Sequence, residues 1–204
     1  MISAKTYTFT MLNYNEIKER KYILVDDEPY EVISAHVSRK QANKPVNKTK
    51  LKSLMNGRVV EHTFHMSDKV NEADMSKKNF IYIYRKGQEF MFHIEGDKSD
   101  RFPLDAEIIG SAENYILEGD AVEFSIFTND DDEEIITGVN LPIKVELEVT
   151  EAPPSIKGNT ATGGDKLATM KTGLKVTVPL FINIGDVIAV NTDSGTYSER
   201  VSKA

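Results

Sequence analysis

The chain has 204 residues at 22.9 kDa, room for one to three small domains, and carries 25 basic against 32 acidic side chains for a net charge of −7. Hydrophobic residues make up 40% of it, which argues against wholesale disorder; no run approaches the ~20 apolar residues of a membrane span, and Met1-Ile2-Ser3-Ala4-Lys5-Thr6 has no secretory apolar segment. With no cysteine at all, a disulfide scaffold and thiolate zinc sites are excluded, and the cytoplasm is the expected address.

The charge is unevenly spread. Residues 1–66 sum to +4, residues 67–143 to −11 and residues 144–204 to zero. Between Val32 and Val60 every charge is positive: Arg39, Lys40, Lys44, Lys48, Lys50, Lys52 and Arg58. An acidic chain with one confined basic stretch is polarised, and such a field places one end against phosphate.

In chain order, short strands dominate the expectation. Tyr22-Ile23-Leu24-Val25 is followed by an acidic turn, Asp26-Asp27-Glu28-Pro29, and a second extended run from Tyr30 to Val37. Val46 to Leu54 alternates, with Leu51 on one face and Lys48, Lys50 and Lys52 on the other. The polar segment from Ser38 to Pro45 suits the tip of a long hairpin. Asn56-Gly57 predicts a turn before a strand from Arg58 to Phe64. In the middle third, Phe80 to Tyr84 and Glu89 to Ile94 flank an Arg-Lys-Gly-Gln turn. Pro103 to Glu118 is the one helix candidate, with Ile109, Ala112 and Ile116 at helical spacing and Gly119 as the stop. Ala121 to Phe127 is the next strand, before the acidic run Asp130 to Glu134. Val145 to Val149, Leu174 to Phe181 and Val187 to Asn191 supply strands in the last third. The pattern predicts an all-β chain of small barrels in series, at 1–66, 67–143 and 144–204.

Catalytic signatures are lacking: there is no Gly-x-Ser-x-Gly elbow and no Walker loop. His36, His62, His65 and His93 make no metal motif, His62 and His65 falling on opposite faces of a strand. The acidic run lacks the ligand pattern of a calcium loop and suits a solvated hairpin. No catalytic residue, metal or cofactor is expected. Asn47-Lys48-Thr49 fits a glycosylation sequon in form only. The basic strand is different. Lys48, Lys50 and Lys52 repeat every second residue, so a strand sets them about 6.6 Å apart on one face, a spacing suited to backbone phosphates.

Specific motifs add a resemblance. Lys166-Leu167-Ala168-Thr169-Met170-Lys171-Thr172-Gly173-Leu174-Lys175-Val176-Thr177-Val178-Pro179 through Gly185 resembles the C-terminal signature of bacterial elongation factor P. The loop Lys157 to Gly164, the segment Gly195 to Val201, Thr49 to Leu54, Gly57-Arg58-Val59, Glu72-Ala73-Asp74 and Leu141-Pro142 resemble the same family in the same order. The resemblance implies an SH3-like, KOW-type first barrel and two OB-fold barrels in an L that mimics transfer RNA. It implies a monomeric factor, not an enzyme, that binds both ribosomal subunits between the P and E sites. Its first-domain hairpin reaches the P-site peptidyl-tRNA and relieves polyproline stalling, by way of a basic tip residue that is often modified by a dedicated enzyme.

This chain departs from the family at that tip. The usual Pro-Gly-Lys-Gly is replaced by Arg39-Lys40-Gln41-Ala42-Asn43-Lys44-Pro45. Lys40 is the first choice for the functional tip, with Lys44 and Arg39 as alternatives, and a lysine- or arginine-modifying enzyme is a further expected partner. Lys48, Lys50, Lys52 and Arg58 are the expected RNA contacts, and Tyr197 and Arg200 resemble positions facing the anticodon side. The competing expectation is a general single-stranded RNA-binding OB-fold protein, which calls for stacking aromatics among the basic residues. A hydrolase with an unrecognised site is a distant third. Neither alternative expects a membrane partner.

Overall fold

The computed structural model describes residues 10–39, 44–154 and 164–204. Among these, sixteen strands stand against one α-helical turn and one 3-10 helix, so the protein is an all-β fold of several small barrels. The chain packs as two compact units, residues 1–78 with 125–138 and residues 79–124 with 139–204.

In the first unit, β1 (Met11–Asn13) pairs with β6 (Lys69–Asn71). Strands β2 (Tyr22–Val25), β3 (Glu28–Ser38), β4 (Val46–Ser53) and β5 (Val59–His65) form an antiparallel sheet in that order. Leu12, Ile17, Ile23, Val32, Leu51, Phe64 and Val70 fill its core. The turn after β2 is shorter than its four acidic and proline residues predict. Val25 pairs directly with Glu28, and Asp26 and Asp27 have φ of 51° and 63°, a two-residue turn of the hairpin-favoured type. Pro29 is already inside β3, buried opposite Leu24, and its carbonyl accepts the Leu54 N–H at 3.0 Å.

Strands β7 (Asp74–Lys86), β8 (Glu89–Ile94), β9 (Asp97–Asp105), β10 (Ala121–Thr128) and β11 (Glu134–Asn140) make a sheet in the order β11-β10-β7-β8-β9. The loop joining β10 to β11 belongs to the first unit and holds the acidic run. Asn129 organises it: its side-chain oxygen accepts the N–H groups of Asp131 at 3.0 Å and Glu133 at 2.9 Å. Glu134 is ion-paired with Lys78. Asp130, Asp131 and Asn129 line a cleft of about 290 Å³ together with Leu24 and Asp27, so this loop lies beside the β2–β3 turn.

In the second unit, Phe80, Tyr82, Phe90, Phe92, Phe102 and Phe124 form an aromatic cluster, with Phe80–Phe102 and Phe92–Phe124 edge to face at 4.9 and 5.1 Å. The expected helix from Pro103 to Glu118 is corrected here. Pro103 to Asp105 end β9, where Pro103 pairs with Met91 on an edge strand that can spare its N–H. Only α1 (Ala106–Ile109) is α-helical, and Gly110, at φ 54° and ψ −136°, breaks it into the 3-10 helix Gly110–Asn114. Ile109, Ala112 and Ile116 are all buried, as their spacing predicts.

The third sheet has the order β14-β13-β12-β15-β16, from β12 (Lys144–Glu151), β13 (Asp165–Met170), β14 (Lys175–Pro179), β15 (Val187–Asn191) and β16 (Thr196–Ser202). Its edge strands β14 and β16 meet, which curls the sheet around Leu147, Val149, Met170, Val176, Val178, Ile182, Ile188 and Val190. Tyr115, from the segment after the 3-10 helix, is buried in this same core. No helix among the described residues is long and apolar enough to cross a membrane.

Candidate nucleic-acid interface

The β3–β4 hairpin is built by strict alternation. Along β4, Asn47, Thr49, Leu51 and Ser53 are buried while Lys48, Lys50 and Lys52 are exposed. Three of the inward residues are polar, and each makes local hydrogen bonds, as burial of polar groups demands. Asn47 donates from Nδ2 to the carbonyls of Tyr14 at 2.7 Å and Ile17 at 2.9 Å. Thr49 donates its hydroxyl to the His62 carbonyl at 2.9 Å. Ser53 Oγ accepts the N–H groups of Met55 at 3.2 Å and Asn56 at 3.3 Å, closing the turn in which Gly57 takes φ 70°. The inward side chains thereby fix which way the lysines point.

Register then sets the neighbours of each lysine. Lys48 stands across from His36 on β3 and Thr63 on β5. Lys50 stands between Ser34 and Glu61, and its ammonium is 3.8 Å from the Glu61 carboxylate. Lys52 stands between Glu31 and Val59. Sequence reasoning missed both carboxylates, because Glu31 and Glu61 lie one residue outside the Val32–Val60 stretch in which every charge is positive. The strand register was the signal that folds them back beside the lysines.

Arg39 and Lys44 are exposed at the tip end of the hairpin. Lys40, with Gln41, Ala42 and Asn43, lies outside the described residues, as does the glycine-bearing loop up to Gly163. Arg58 is exposed at the other end of β4, where its carbonyl accepts the Ser53 N–H at 2.9 Å, so it is not part of the lysine row. Among the described residues no group of three His, Asp or Glu side chains is placed to hold a metal.

In the second unit, Tyr197 is half-buried against the core around Leu147. Arg200 has its guanidinium 5.1 Å from the Phe181 ring centroid and Nη1 3.5 Å from Asp186. Asp186 is fully buried and accepts the N–H groups of Asn183 at 2.9 Å and Ala204 at 3.0 Å. These two bonds, the Asn183 one foremost and with help from Arg200, hold its carboxyl below the usual carboxylate range.

A chain of small barrels whose first unit presents an exposed basic hairpin defines an all-β protein with a candidate nucleic-acid interface. Comparison with known proteins makes that more particular. Residues 13–70 match the elongation factor P KOW-like domain, and residues 145–200 match the C-terminal domain described for elongation factor P. The chain is 40% identical to elongation factor P of Brachyspira hyodysenteriae, over 95% of this chain and all of that one. It is 37% identical to elongation factor P of Carboxydothermus hydrogenoformans, over 94% of this chain and all of that one. Among solved structures, translation initiation factor 5A from Methanococcus jannaschii superposes with a TM-score of 0.49 at 15% identity, over 64% of this chain and 94% of that one. The chain belongs to the elongation factor P family, a family of translation elongation factors and not of classical enzymes.

Proposed function

We propose that this protein binds the ribosome between the P and E sites, contacts peptidyl-tRNA through the β3–β4 hairpin, and promotes peptide-bond formation at polyproline stalls. The observation that carries the reading is the exposed basic end of the hairpin, where outward-facing Lys48 leads to Arg39 and Lys44, on a chain of this family. Charged groups on a rigid hairpin position a polyanion without doing chemistry on it. Prolyl donors and acceptors are stiff and poorly posed for attack, so holding the transfer RNA lowers the entropic part of the barrier. Lys40, Lys44 or Arg39 serves as the tip, with an amine- or guanidine-modifying enzyme as an additional partner. Three domains, at 1–66, 67–143 and 144–204, divide the work, the last meeting the small-subunit side through Tyr197 and Arg200. The factor acts as a cytoplasmic monomer.

The test is the rate of peptide-bond formation on a triple-proline message in a reconstituted ribosome system, with the unmodified protein added. Acceleration is the expected outcome. If the protein neither accelerates the reaction nor binds ribosomes with an occupied P site, the reading is overturned. Preferential binding to free single-stranded RNA would favour a general RNA-binding role instead.

A further inference from the structure

We propose that RNA phosphate is held only at the tip end of the β3–β4 hairpin, with Lys48 as the anchor, and that the same face turns acidic toward the far end of β3. The inference rests on the RNA-facing reading above and adds a direction to it. Side chains directly opposite on adjacent strands lie about 4.5–5.5 Å apart at Cβ, so each lysine's field is set by what stands across from it. Lys48 faces His36 and Thr63, with no carboxylate in either position. Arg39 and Lys44 lie beyond it toward the tip, both exposed. One position back, Lys50 is ion-paired with Glu61. Another position back, Lys52 is opposite Glu31. Beyond that lie Asp26 and Asp27 in the β2–β3 turn, and Asp27 lines one cleft with Asp130 and Asp131 of the β10–β11 loop.

All of these residues belong to one compact unit. The 11 residues of β3 extend roughly 36 Å at ~3.3 Å each. That is several times the ~8 Å screening length of physiological salt, so the two ends act on RNA independently. The tip end attracts a phosphate backbone and the turn end repels it. A surface ion pair such as Lys50–Glu61 adds little to stability. Its effect is to withdraw Lys50 from the phosphate row.

The experiment measures binding of the full-length protein to an RNA hairpin with a single-stranded 3′ tail, by fluorescence anisotropy between 50 and 200 mM salt. Lys48→Ala is expected to lower the slope of log affinity against log salt by about 0.7–0.9, the loss of one phosphate contact. Lys52→Ala is expected to leave the slope unchanged. Glu61→Gln, which frees Lys50, is expected to raise the slope by a similar ~0.7–0.9. Unchanged circular dichroism and thermal midpoints verify that these exposed substitutions leave the fold intact. Equal losses for Lys48→Ala and Lys52→Ala, or no gain from Glu61→Gln, would overturn the gradation while leaving RNA binding by the hairpin standing. No salt-dependent binding by the unsubstituted protein, together with no acceleration on the triple-proline message, would remove the functional reading as well.

Discussion

Asn47 shows how a single inward residue supports the outward ones. Buried completely, it ties β4 to the Tyr14–Ile17 segment through two carbonyls, while its own side-chain oxygen has no partner among the described residues. Asn47→Ala leaves both carbonyls without that donor and is expected to destabilise the protein by about 1–3 kcal/mol, read as a lower denaturant midpoint with unchanged slope. Asp186 makes a pH-dependent contribution of definite sign. Its folded pKa lies below its ordinary value, so the unfolded chain binds the proton more readily and acid favours unfolding. The contribution is fully present above the ordinary carboxylate pKa of 3.8 and is lost as the pH falls through the lower folded value. In thermal melts below pH 5, the unsubstituted protein should therefore lose stability more steeply than Asp186→Asn, which starts lower at neutral pH and changes less.

At the scale of elements, the 106–119 segment is where local sequence and tertiary context part. Helical spacing placed Ile109, Ala112 and Ile116 correctly in the core, yet Gly110 stops α1 after one turn. Its backbone angles are ones that other residues adopt only under strain, and no described residue beyond its own local backbone comes within 4 Å of where a Cβ would stand. Gly110→Ala is thus a test of backbone conformation alone, with an expected cost of about 1–3 kcal/mol in equilibrium unfolding. The strands with clean alternation, β4 above all, were legible because one buried face leaves a period of two in the sequence. Strand β9 was not, since its exposed edge residues Asp97 to Arg101 carry no apolar rhythm and Pro103 reads as a helix start. The lysine row was visible in the same way as β4. Its countercharges were invisible because Glu31 and Glu61 are brought to it by pairing across strands, which no linear window contains. Asp186 is only half local: Asn183 stands three residues before it, whereas Ala204 and Arg200 meet it only in the folded barrel.

Across the whole molecule, charge is segregated by sequence: residues 67–143 hold −11 while residues 1–66 hold +4. Part of the acidic share, Asp130 to Glu134, is folded into the compact unit that carries the hairpin. Uniform basicity would favour adhesion to any RNA, and the acidic loop is expected to limit it. Replacing the run from Asp130 to Glu134 by Asn and Gln is expected to raise binding to unrelated RNA severalfold at low salt and little at high salt, as measured by filter retention. Unchanged retention at low salt would count against this role. In the second unit, Tyr115 fills the core of the C-terminal sheet from the segment that follows α1, so residues 79–124 and 139–204 share packing.

The outer strand β9 has a consequence for the protein as a solute. An unpaired strand at the border of a sheet is a template onto which another polypeptide can add, the first step of fibril growth. Here that border alternates Asp97, Lys98, Asp100 and Arg101 and then places Pro103, which offers no N–H to an incoming chain. In-register parallel stacking of two copies through β9 would set like charges together, and a pairing that runs past Pro103 would leave a carbonyl without a donor. The same residues that erased the strand's signature from the sequence work against strand addition at this border.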